Sequence, residues 1–243
     1  MRIGITVAHC DRLASPAAVV AAVKAAEQLG YSSVWVSDSA LDPAGVLSAA
    51  AAVTTRVGLG AGIVVGANED PVSLARSLAT VDLLSEGRLT VALGGPEQAL
   101  DPVLDAVAQG PAPVLLDGRT PGVLDRVARR AGGWSPTAVS VEELEPMWSS
   151  VQRLAASHGR DPDDLRLVVR PQVALRETPA GAGRASYEGD AEQVAGDVDA
   201  SHRLGAHEVV LRLGGDLSLD EALDGYARIA EATELHRAAG QRA

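Results

Sequence analysis

The residues best equipped for chemistry stand where apolar runs stop. Val34, Trp35 and Val36 give way to Ser37, Asp38 and Ser39, and an Asp42-Pro43 pair follows. An earlier apolar run ends at Ala8, His9 and Cys10. His9 is the histidine of the five that falls at such an end. There it serves either as an acid–base group or as a satisfied structural histidine. Asp38 contributes a carboxylate, while Ser37 and Ser39 contribute hydroxyls with no activating histidine near them in sequence. A third boundary, Leu116 followed by Asp117, Gly118, Arg119 and Thr120, combines a glycine, a cation and a helix-capping threonine. That set can turn free backbone amides and positive charge toward an anion such as phosphate, or it can be a plain turn with a solvated arginine. His158, His202, His207 and His236 fall on helix ends or surface loops and read as solvated. No His/Cys/Asp spacing fits zinc, so no metal site is expected.

These boundaries belong to an alternation of strands and helices. Apolar strands are predicted at 3–7, 34–36, 57–65, 89–93, 114–116, 167–175 and 208–213, with a very short one within 132–136. Helices open at Ser15-Pro16, Asp42-Pro43, Asp70-Pro71 and Thr120-Pro121, where a capping side chain precedes a proline at the first helical position. Ser140 with Glu143, Asp190 with Gln193, and Ser218 with Glu221 have capping-box spacing. Pro146 is expected to disturb the first turns of its helix, and 96–112 shows only weak periodicity. The run "GLGAG" at 58–62 lies inside a strand and lacks the dinucleotide-loop spacing, so its glycines mark a bulge or a close contact.

Eight parallel strands with intervening helices predict a closed (β/α)₈ barrel, with an open doubly wound sheet as the competing arrangement. In a barrel the C-terminal strand ends converge on one face. That face gathers 8–10, 37–39, 66–70, Gly94 with Gly95, 117–120 and 214–216.

The bulk composition excludes several function classes. With 243 residues, 47 % hydrophobic and without a long linker, residues 1–243 are expected to form a single domain. Aromatic residues make up 2 %, so no base-stacking platform is available. The net charge of −11 argues against nucleic acid and anionic membranes as partners. Cys10 is alone, which excludes a disulfide framework, and no apolar run reaches bilayer length. A cytoplasmic location is the expectation.

Longer segments then align with a known pattern. "AAEQLGYSSVWVSDSALDPAGVLSAAAAVTTRVGLGAGIVV" and "DPVSLARSLATVDLLSEGRLTVALG" resemble the bacterial luciferase-like superfamily of flavin-dependent monooxygenases and deazaflavin oxidoreductases. "PVLLDGRTPGVLDRVARRAGGWSP" and "YEGDAEQVAGDVDASHRLGAHEVVLRL" resemble later parts of the same family. The resemblance implies a TIM barrel whose insertion after the fourth strand is trimmed to 96–112. It implies a deazaflavin coenzyme F(420) or FMN as cofactor, a small organic substrate and a homodimer. The ring would lie against a bulge with a non-prolyl cis bond near Gly62 and Ile63. Gly94 and Gly95 match the glycine-rich end of the fourth strand, and Asp117, Gly118, Arg119 and Thr120 match the phosphate loop. Asp38, His9 and Ser39 take the catalytic positions. Many members carry histidine where this chain has Ser39, which leaves a degenerate barrel that binds flavin, deazaflavin or a partner without turnover as the alternative.

Overall fold

The computed structural model describes residues 1–7, 16–37, 42–66, 68–215 and 217–235. The predicted positions Ala8, His9, Cys10, Ser15, Asp38, Ser39, Ala67, Asp216 and His236 lie outside the described residues.

The predicted apolar runs form parallel strands, buried on both faces as short β-branched runs require. They are β1 (Ile3–Thr6), β2 (Ser33–Ser37), β3 (Gly58–Val64), β4 (Leu89–Gly94), β5 (Val114–Leu116) and β6 (Gly133–Trp134). Then come β7 (Arg166–Val169), β8 (Gln172–Leu175), β9 (Glu188–Gly189) and β10 (Glu208–Leu213). Each of β1 to β6 pairs with its successor, β7 pairs with β10, and the β1–β10 pairing closes the barrel. The chain is therefore an eight-stranded (β/α)₈ barrel.

The predicted strand at 167–175 appears as two pieces in one register. Glu208 aligns with Val168 and Arg212 with Gln172. Pro171, which has no amide to give the ladder, marks the interruption. The small strand β9 continues this edge beside β8 and is not among the predicted strands.

The helices are α1 (Pro16–Gln28), α2 (Pro43–Val53), α3 (Pro71–Leu84), α4 (Glu97–Val107), α5 (Pro121–Arg130), α6 (Val141–Ser157), α7 (Ala191–Arg203) and α8 (Leu219–Ala232). Asp42, Asp70 and Thr120 cap their helices, and all three capping boxes form. Segment 96–112 makes α4, which buries Leu100, Val103, Leu104 and Val107. Pro146 does not disturb α6. The carbonyl it deprives of a donor belongs to Glu142, an exposed residue that water can serve. No helix among the described residues is long and apolar enough to cross a membrane.

Two apolar layers hold the barrel. The larger lies between strands and helices, with Ile3, Ile5, Val34, Val36, Leu59 and Leu93 in its strand layer. The smaller fills the barrel axis with Trp35, Ala92, Leu115, Val168 and Val210. The two-residue side-chain period of a strand puts Gly60 and Gly62 on the inward face with Trp35. A Cβ on Gly60 would overlap the Trp35 ring, so the glycine makes room for the indole. The indole N–H donates to Ser33 Oγ at 3.0 Å, and Ser33 donates to Glu208 Oε1 at 2.7 Å. Burial pushes the Glu208 carboxyl up, against the opposing pull of Ser33 and Arg2.

One expectation fails here. The β3–β4 ladder runs unbroken through Gly62↔Ala92, Ile63↔Leu93 and Val64↔Gly94. All described peptide bonds are trans, so the bulge and cis bond expected near Gly62 and Ile63 are absent. The continuous ladder leaves no extra residue to form a bulge.

Candidate active site

Residues at the C-terminal strand ends line a cavity of about 360 Å³. Thr6 and Ser37 come from β1 and β2, and Gly62, Ile63 and Val64 come from β3. Gly94, Asp117, Thr137, Arg170, Gln172 and Arg212 complete most of the wall. The volume falls within the range of small-molecule sites, and the strand-end position is where barrel chemistry is found.

Arg170 is the most unusual group in this wall. It follows three apolar residues of β7, with its side chain only 9 % exposed. Its backbone N–H donates to Pro136 O at 2.9 Å, which fixes the position. The guanidinium carbon lies 5.5 Å from the Trp35 ring centroid, so the indole that fills the axis also supports a cation. Nη2 donates to Asp117 Oδ2 at 2.9 Å. Nε is buried without a hydrogen-bond partner. Burial lowers the Arg170 pKa, the Asp117 carboxylate opposes that shift, and nearby Arg212 adds to it. A Cβ on Gly62 would come within 2.5 Å of Nη1, so Gly62 is what allows the guanidinium to lie there.

Asp117 is held from the other side. It accepts from the Thr137 amide at 3.2 Å and from the Thr137 hydroxyl at 3.1 Å. Gly94 gives it space, since a Cβ there would sit 3.3 Å from Asp117 Cβ. At Gly95 (φ +128°) a side chain would strike Val65 O at 2.5 Å. Thus Gly62, Gly94 and Gly95 each have a neighbour of their own chain close to where a side chain would start.

Of the predicted cofactor residues, Gly62, Ile63, Gly94 and Asp117 share the cavity wall. Gly95, Gly118, Arg119 and Thr120 are not part of it. Arg119 is half exposed and lies 3.9 Å from Glu143. Thr120 caps α5 through the Val123 amide and donates to Glu97 Oε1 at 2.5 Å. His158 and His207 are exposed, as expected, although His158 contacts Asp125 at 3.0 Å and His207 Nδ1 accepts from the Leu167 amide at 3.0 Å. His202 is half-buried, with Nδ1 2.7 Å from Ala206 O.

Sequence reasoning missed Arg170, Thr137, Gln172 and Arg212. The legible signal was Arg170-Pro171 inside "RLVVRPQVAL", a cation and a breaker in the middle of an apolar strand. Strand periodicity places Arg170 on the face of Val168 and Gln172, which points it down the barrel.

A flavin-type ring fits this mouth. An orphaned buried N–H, a supported cation and an open polar wall would meet its polar edge. Its phosphate does not fit the loop expected to hold it. Thr120 is already committed as a cap, and the carboxylates of Glu97 and Glu143 lie against the loop.

Comparison with known proteins agrees with this architecture. The monooxygenase RslO1 from Streptomyces bottropensis superposes with a TM-score of 0.78 at 19 % identity, covering 98 % of this chain and 100 % of that one. An F(420)-dependent secondary alcohol dehydrogenase, in complex with an F(420)–acetone adduct, superposes with a TM-score of 0.77 at 13 % identity, covering 96 % and 98 %. At such identities the likeness concerns the fold. An uncharacterized protein of Mycobacterium bovis is 46 % identical over 54 residues, which are 22 % of this chain and 19 % of that relative. The match therefore spans about a fifth of the curated relative's length. A family model described as luciferase-like monooxygenase matches residues 1–101 and 95–240, and the chain belongs to that family.

Proposed function

We propose that this chain is an oxidoreductase that seats the ring of reduced F(420) or FMN at the barrel mouth and acts on a small organic substrate. The observation that carries this reading is Arg170, a buried, ring-supported cation with an unpartnered N–H beside a ligand-sized cavity. When bound, such a ring supplies hydride transfer or oxygen activation. The chain's own residues do the rest. Gly62, Ile63, Gly94 and Asp117 shape the mouth, and Arg170 places a fixed positive charge there. Trp35 and the apolar axis close the barrel below and keep water from entering along it. Asp38 and His9, which follow β2 and β1 in sequence, take proton-transfer or substrate-binding roles. Ser39 takes the position of the usual histidine, and its hydroxyl is a poor acid and a poor base at neutral pH. The working form is a homodimer, supported by exposed Val72, Leu83 and Leu84 on α3.

The identity of Ser39 favours one second reading, a barrel that binds the ring without turnover. Titration of the purified protein with F(420) and with FMN, followed by fluorescence, tests both readings. Binding of either below roughly 100 µM is expected. Absence of binding by both sinks the proposal, and binding without turnover of any substrate supports the second reading.

A further inference from the structure

The sequence resemblance points to the start of α5 as a phosphate seat, and the structure fills that seat from within. The Glu97 carboxylate, at the start of α4, reaches across to α5 and is held from two sides. Thr120 Oγ1 donates to Oε1 at 2.5 Å, and Arg126 Nη1 donates to Oε2 at 2.9 Å. Arg126 is itself fixed by two bonds to Asp101, at 3.0 and 2.9 Å. The Glu97 carboxylate also occupies the volume that a side chain at Gly122 would need. The helix has few donors left for another anion. Pro121 has no amide hydrogen, and the Val123 amide is bound to Thr120. The Thr120 hydrogen bond holds the Glu97 pKa below its ordinary value; burial opposes it, and Arg126 adds to the lowering. The carboxylate is therefore charged at neutral pH.

We infer that Glu97 is a specificity-determining residue whose carboxylate takes the phosphoryl position at the α5 N-terminus, so that the barrel favours a ring ligand carrying no phosphate there. This rests on the ring-binding reading above. It goes further in naming the ligand class: a flavin or deazaflavin in its dephosphorylated form. The positive end of the helix and Arg126, which would otherwise attract a phosphate dianion, are neutralised by a side chain of the same chain.

The test compares riboflavin with its 5′-phosphate, FMN, by fluorescence quenching. Wild-type protein, Glu97→Ala, Glu97→Gln and a remote control, Glu192→Gln, are measured, each checked for folding by circular dichroism. Wild type is expected to bind FMN no more tightly than riboflavin. In Glu97→Ala, FMN should become roughly tenfold tighter than riboflavin, with riboflavin affinity unchanged. Glu97→Gln, which keeps the volume and removes the charge, should fall between, and the control should match wild type.

Two results would overturn the inference: a tenfold FMN preference already present in wild type, or the same ratio in wild type and Glu97→Ala. An equal change in the control would also overturn it, because net charge would then be the cause. Failure of both flavins to bind would refute ring binding instead. Inorganic phosphate then decides the role of Glu97 separately. At matched ionic strength it should raise the melting temperature of Glu97→Ala and not of wild type, and an identical response would remove the assignment.

Discussion

Arg170 shows how a single inward position can set the character of the site. Removing one partner of a buried ion pair costs about 3–5 kcal/mol. Asp117 is 22 % exposed and keeps its Thr137 bonds, so Arg170→Met should cost less, about 2 kcal/mol by urea denaturation. The same variant should weaken ring binding, while Arg170→Lys keeps the charge but loses the planar stacking on Trp35 and restores it only partly. At the other end of the barrel axis, Glu208 gives a pH-dependent prediction. Its carboxyl is raised in the fold by burial, so the folded state holds the proton more tightly than the unfolded chain. The associated stability is complete below the usual carboxylate pKa and is lost as pH rises through the folded value. Glu208→Gln keeps an acceptor for Ser33 and never ionises. It should melt above wild type at pH 8, with the difference shrinking toward pH 4. An equal shift at all pH values would refute burial as the cause. In the sequence Arg170 shows only as a cation beside a breaker, and Glu208 does not stand out. Arg170 and Glu208 acquire their roles from partners 53 and 175 residues away, Asp117 and Ser33, and no local pattern encodes such a distance.

The strand β3 shows which element-level features can be read ahead of structure. Its glycines were legible as marks of close approach, and the structure supplies the neighbours: Trp35 over Gly60 and Arg170 over Gly62. The two positions should respond differently. At Gly60 the obstacle is a packed indole at the barrel axis, so Gly60→Ala should cost about 1–3 kcal/mol in denaturant unfolding. At Gly62 the obstacle is the far end of a long side chain, so Gly62→Ala should cost less than about 1 kcal/mol and act on ligand binding by displacing the guanidinium. Similar losses of stability at both positions would contradict this division. Helix starts were legible because a cap and its proline are local chemistry, as at Asp42, Asp70 and Thr120. The small strand β9 was not, since it depends on what β8 presents to it. The cis bond was inferred from family resemblance at Gly62 and Ile63, and the local ladder with β4 does not contain it.

At the scale of the whole molecule, the barrel leaves one helix only partly used. On α3, Leu78 and Val81 face the barrel, while Val72, Leu83 and Leu84 point to water, with Leu83 78 % and Leu84 54 % exposed. Fully burying side chains of this size yields about 1.5–3 kcal/mol each. A two-fold arrangement counts each of them twice, which is enough to offset an association cost of about 4–15 kcal/mol only when the neighbouring surface also packs. Opposing this is the charge of −11 on each chain, a repulsion that salt screens over about 8–10 Å. Dimerisation should therefore strengthen from low salt to moderate salt, the reverse of an interface held by ion pairs. Sedimentation velocity across a salt series measures this directly. Leu83→Asp combined with Leu84→Asp adds charge where apolar area is needed, and it should leave a monomer that melts within about 1 kcal/mol of the wild-type monomer, because neither side chain contributes to the barrel core. A wild-type protein that stays monomeric at every salt concentration would refute the dimer. A doubly substituted protein that still dimerises would move the interface away from α3.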